Sequence, residues 1–98
     1  MSQEHDNLSV DILNTIRQSN ASFARVFGDA VRLRRQKFGL KQEELSHLLQ
    51  SCGMPISQSY LSRLESGLRE DPSIQIVIGL SIALQISLDE IIRTISKE

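Results

Sequence analysis

The sequence predicts an all-α protein, and three observations lead there. Apolar residues recur at three- and four-residue intervals, and helix-capping or helix-stopping residues separate these runs. The one segment dense in β-branched residues, Ile74 to Ile82, has no second strand to pair with, so it is assigned to helix by elimination.

The elements follow in order. Leu8, Ile12, Leu13 and Ile16 mark a short helix near 9–19, with Asn7 and Ser9 as alternative N-caps. Ser19-Asn20-Ala21-Ser22 reads as a break, which divides the chain into an N-terminal extension, 1–21, and a domain over 22–98. Ser22 then caps a helix whose apolar stripe is Phe23, Phe27, Val31 and Phe38, stopped by Gly39. The next helix begins after Lys41, with Glu44 at its third position and a stripe of Leu45, Leu48, Leu49 and Cys52. Ser51 to Ile56 combines Gly53 with Pro55 and predicts a turn. Ser57 caps a short helix over 58–66 with Leu61 and Leu64 inward, ended by Gly67. Asp71-Pro72-Ser73 restarts the chain into a helix reaching about Leu84. Ser87-Leu88-Asp89-Glu90 is a capping box, stapled by Ile86 and Ile91, that opens a last helix from Leu88 to about Ile95.

Bulk properties exclude several function classes. A chain of 98 residues has room for one compact core. The net charge of −1 is unevenly spread, because Phe23 to Arg69 holds eight basic residues against four acidic ones, a local charge of +4. A single cysteine, Cys52, rules out an intrachain disulfide and fits a reducing cytoplasm; following Leu48 and Leu49, it reads as a small core residue. The acidic, polar start is unlike a signal peptide, and no apolar run approaches the ~20 residues a membrane helix needs. His5 and His47 stand isolated, so no metal site is expected. No glycine-rich phosphate loop, nucleophile elbow or clustered acid–base set is present, which argues against an enzyme and against a cofactor.

The informative stretch is the pair of short helices joined by a Gly-containing turn, the layout of a helix-turn-helix. On the second of them Ser59, Ser62, Arg63 and Ser66 share one face, opposite Leu61 and Leu64, with Gln58 in the first turn. A small, polar face with one long cation suits a major groove ~12 Å wide, where Arg pairs with guanine and Gln with adenine. Ser46 is small where the two helices are expected to cross.

Three ordered motifs carry a resemblance: Val31-Arg32-x-Arg34-Arg35-x-x-x-Gly39-Leu40-x-Gln42-Glu43-Glu44-Leu45, then Ser57-Gln58-Ser59-Tyr60-Leu61-Ser62-Arg63-Leu64-Glu65-x-Gly67, then Pro72-Ser73 before a helix. Together they resemble the phage-repressor and Cro-like (XRE-type) helix-turn-helix regulators over roughly residues 23–95. The resemblance implies a five-helix, lambda-repressor-like DNA-binding bundle, here with an extra N-terminal helix. It implies base contacts from Gln58, Ser59 and Arg63, and phosphate contacts from Lys41, Gln42, Tyr60, Ser62, Ser66 and Arg69. Gln42 would also brace Gln58, and Arg35 and Glu65 would form a structural ion pair. The chain departs from the family in three places: Lys41 replaces the usual Ser, Thr or Asn cap, the turn from Gln50 to Pro55 is longer, and Glu70-Asp71 adds acid to a loop that often meets the DNA backbone.

The function expected from these features is a cytoplasmic transcriptional regulator, a repressor by resemblance, binding double-stranded DNA as a homodimer on a palindromic operator. Ile91, Ile92 and Ile95 exceed what one core-facing stripe needs and are the dimer candidates, with the helix at 9–19 competing for that role. Two other readings stand beside it: the antitoxin of a toxin–antitoxin pair, and a scaffold for protein contacts, which the acidic ends and Glu70-Asp71 favour. The Arg32 to Lys37 cluster reads as a solvated face apart from Arg35. Tyr60 reads as half-buried, with its hydroxyl at solvent or a phosphate.

Overall fold

The computed structural model describes the backbone of residues 2–68 and 72–97 and the side chains of 10–68 and 72–97. Among these residues five α-helices and no strand are present: α1 Ser2–Lys37, α2 Gln42–Ser51, α3 Gln58–Glu65, α4 Ile74–Leu84 and α5 Leu88–Ser96. Arg69 and Glu70-Asp71 lie outside the described residues.

The first helix corrects the sequence reading, because Ser19 to Ser22 is no break and α1 runs through it unbroken. Neither glycine nor proline interrupts it there, and Ser or Asn in a helix interior costs only about 0.5 kcal/mol relative to Ala. The apolar face also keeps its register across the segment: Ile12, Leu13 and Ile16 precede Phe23, Ala24 and Phe27 by eleven residues each, about three turns. Phe23 and Phe27 stack at 5.2 Å between ring centroids, and from there α1 is held by the body. A helix of 36 residues is ~54 Å long, which accounts for the molecule's 53 Å length against widths of 25 and 20 Å. Residues 10–21 are all exposed and project beyond the body.

The core is built from Phe27, Val31, Leu45, Leu49, Ile56, Leu61, Leu64, Val77, Leu80 and Leu84, contributed by α1 to α4 and the turn before α3. Three residues read as buried are not. Phe38 is exposed because α1 ends one residue earlier, and the Arg34 guanidinium lies 5.3 Å over its ring. Leu48 and Cys52 are exposed because the buried stripe of α2 is Leu45, Ser46 and Leu49, so Cys52 is a surface thiol at the helix end. Ile91 departs in the other direction: it is 5% exposed, packed inward, and is withdrawn from the dimer candidates. On α4, Ile74, Ile78 and Ile82 recur every fourth residue along an exposed face.

Two contacts set where α3 lies on α1. Gly28 faces the α3 backbone so closely that a Cβ there would collide with the Leu64 carbonyl oxygen. Seven residues further along, Arg35 makes a two-pronged bond to Glu65, the last residue of α3, with Nε at 2.7 Å from Oε2 and Nη2 at 2.8 Å from Oε1. The remaining Arg35 prong donates to the Leu40 carbonyl at 2.7 Å, and Gln42 Nε2 donates to Glu65 Oε1 at 3.0 Å. The hydrogen bond to Glu65 holds Arg35 above its ordinary pKa, against the opposing effect of burial and with the charge of Glu65 adding to it. Arg35 therefore stays cationic wherever the protein folds. Arg34 makes a second cross-tie, its Nε donating to the Leu84 carbonyl at 2.8 Å and placing a cation at the C-terminal end of α4.

Gly28→Ala is expected to force α1 and α3 apart and lower unfolding free energy by about 2–3 kcal/mol in urea titration; an unchanged midpoint contradicts the close crossing. Glu65→Ala or Arg35→Ala is expected to cost about 3–5 kcal/mol each, since each strands a buried charge. The double variant Arg35→Met/Glu65→Leu is expected to cost far less than the two losses added, which a double-mutant cycle measures.

Candidate nucleic-acid interface

The surface in question begins with how α3 starts. Helix α2 ends at Ser51 and is closed off by Gly53, whose φ of +86° accompanies bonds from Gly53 N–H to the Gln50 carbonyl and from Met54 N–H to the Leu49 carbonyl. Pro55 cannot continue a helix, and the chain reverses with Ile56 N–H on the Met54 carbonyl at 2.8 Å. The extra length of this turn is folded back onto the body. Ile56 is buried in the core, its carbonyl accepts from Ser46 Oγ and from Gln50 Nε2, and the Met54 thioether lies against Gly79 of α4. Ser57 then caps α3, its Oγ accepting from Tyr60 N–H at 3.0 Å.

So anchored, α3 divides cleanly by face. Leu61 and Leu64 are fully buried and Glu65 is held by Arg35, while Gln58, Ser59, Ser62, Arg63 and Ser66 are exposed. The exposed side chains are uncharged and short apart from Gln58 and Arg63. Eight residues make a rod ~12 Å long, a length that fits across a major groove. Ser66 Oγ donates to the Arg63 carbonyl at the C-terminal end.

The residues expected at phosphates are placed less uniformly. Lys41 is exposed at the N-cap of α2, and its backbone N–H donates to Glu44 Oε1 at 2.9 Å, half of a capping box. An ammonium cannot accept the reciprocal bond, so the lysine side chain serves no capping role. Gln42 is half-buried and braces Glu65 rather than Gln58, a correction to the expected partner. Tyr60 is half-buried against the core and its hydroxyl oxygen is itself buried, so that hydroxyl does not stand where solvent or a phosphate would meet it. The expectation for Arg69 lies outside the described residues.

Two cations of the basic cluster on α1 are committed to the fold. Arg34 and Arg35 bind Leu84 and Glu65, and Arg32 pairs locally with Asp29 at 3.3 Å on the surface. Three roles were not foreseen from sequence: the Gly28 crossing, the Arg34 tie to α4, and Gln50 joining Ser46 on the Ile56 carbonyl. The last had a signal, since Ser46 and Gln50 are four residues apart and share a helix face. Among the described residues no cluster of three His, Cys, Asp or Glu side chains is placed to hold a metal ion, and no single helix is long and apolar enough to cross a membrane.

Comparison with known proteins agrees with this geometry at the level of family. Neither the curated proteins nor the solved structures compared with the chain gave a match. The profile of the helix-turn-helix family matches residues 31–91, from the last two turns of α1 into α5 and across the α2–turn–α3 unit. That match covers more than half of the chain, which therefore belongs to the helix-turn-helix family of XRE-type, Cro-like DNA-binding regulators.

Proposed function

We propose that the protein is a sequence-specific transcriptional regulator that reads double-stranded DNA with α3 in the major groove and acts as a homodimer on a palindromic operator. The observation that carries this is the division of α3, whose inward face is fixed by Leu61, Leu64 and Glu65 while Gln58, Ser59, Ser62 and Arg63 face outward. Such a helix presents hydrogen-bonding groups on a rigid support, and direct readout needs both. The DNA-binding domain in this reading is residues 22–98.

Within it, Arg63 is assigned to a guanine edge, with Gln58 and Ser59 as the other base contacts. Lys41, Gln42, Ser62, Ser66 and Arg69 are assigned to the phosphates that hold the register. Two copies are required because a single short helix reads too few base pairs to be selective in a genome. No step in this reading uses a cofactor or bond-making chemistry.

Arg63→Ala is expected to cost about 1–3 kcal/mol on the preferred duplex and to relax selectivity at one base pair. Lys41→Ala is expected instead to weaken all duplexes alike and flatten the salt dependence by about one unit of slope. Both are measured by fluorescence anisotropy across a salt series. Equal losses on preferred and random DNA for Arg63→Ala remove it from base reading.

A further inference from the structure

We propose that the projecting N-terminal half of α1 is the dimerisation arm, pairing antiparallel with the same segment of a second copy. The inference rests on the dimeric DNA-binding reading above and assigns the surface through which the two copies meet. With Ile91 buried, only Ile92 is fully exposed among the isoleucines of α5, and one side chain does not make an interface.

The arm offers more. Val10, Ile12, Leu13 and Ile16 are 57%, 44%, 50% and 47% exposed, on the face that further along α1 carries Phe23, Ala24 and Phe27 into the core. The core-facing stripe thus continues past the edge of the body and stays exposed there. A helical segment of this length with few strong helix formers is marginal alone in water and needs a packed face to persist. Its charges point to its own kind as the partner. Asp11 lies toward the start of the exposed stripe and Arg17 toward the body, so antiparallel pairing sets acid against base while parallel pairing sets like against like.

The resulting separation approaches the spacing of DNA half-sites only at its lower end. α3 meets α1 near Gly28, where Leu64 approaches, and the turn after α3 meets it at Arg25, where Gly67 lies close. These points are twelve and fifteen residues from Leu13, the middle of the exposed stripe. A two-fold axis at Leu13 puts equivalent points of the two copies roughly 36 to 45 Å apart along the arm, at ~1.5 Å per residue. Half-sites one turn apart are separated by about 34–36 Å.

The test is sedimentation equilibrium of the full chain, without DNA, from about 1 to 100 μM. The wild type is expected to dimerise, and Leu13→Asp/Ile16→Asp to raise the dimer dissociation constant at least about 100-fold. Arg17→Glu is expected to weaken it by roughly tenfold at low salt, less at high salt. The substituted residues lie outside the core, so the circular dichroism melt of the body is expected to be retained. Ile82→Asp and Ile92→Asp are expected to leave the dimer intact. A monomeric wild type, or a dimer that survives the double arm variant and dissolves with Ile82→Asp or Ile92→Asp, overturns the arm. A wild-type dimer lost on arm substitution that binds no duplex overturns the DNA-reading proposal and leaves the arm supported.

Discussion

The buried pair of Arg35 and Glu65 fixes the geometry on which the rest of the molecule depends. Removing two charges from water is unfavourable, and a buried pair holds only when its geometry is good and its remaining hydrogen-bonding groups are satisfied. Here the carboxylate takes two guanidinium bonds and the Gln42 amide, while the guanidinium also reaches the Leu40 carbonyl. Those four partners come from α1, from the loop after it, from the first residue of α2 and from the last of α3. A shift of any one element breaks several charge-assisted bonds at once, so α3 is locked in direction as well as packed. The Gly28 crossing fixes its height over α1, and the Ser57 cap with the pinned turn fixes where it starts.

This arrangement determines how charge is used. Half of the basic cluster on α1 serves the fold, Arg34 binding the Leu84 carbonyl and Arg35 holding α3, while Arg32 pairs with Asp29 on the surface and Lys37 is exposed. Among the described residues, Lys41 and Arg63 are exposed on the helix-turn-helix unit and Arg25 and Lys37 on α1. A DNA binder of net charge −1 with so small a cationic footprint draws less on non-specific phosphate attraction. In the proposed dimer, base contacts and the joining of two recognition helices in one molecule would carry more of the affinity.

Most of the fold was legible because capping chemistry and apolar spacing agreed. Ser57, Ser73 and Ser87 each accept a backbone N–H three residues on, and Gly39, Gly53 and Gly67 each take the left-handed conformation that ends a helix. What was misread had a common cause, in that local preference was outvoted by packing. The polar run Ser19 to Ser22 looked like a boundary, yet register with Phe23 carries the helix through it. Cys52 and Phe38 extended apolar stripes on paper, but each lies where its helix has already ended. Ile91 and Ile92 are neighbours of identical composition, and only the direction of α5 against α1 decides which is buried. Tyr60, likewise, has a buried hydroxyl oxygen, which no spacing rule conveys. Within the interface, the split between the buried and exposed faces of α3 was readable from Leu61 and Leu64 alone, whereas the bracing of Glu65 by Gln42 was not.

Whether α3 reads sequence as one half of a two-fold pair is measured most directly by selecting bound duplexes from a random pool with the 98-residue chain. The account predicts enrichment of a palindromic site whose half-sites are centred about one helical turn apart and contain a guanine at a fixed position. Recovery of an unenriched pool, or of a site without two-fold symmetry, contradicts it.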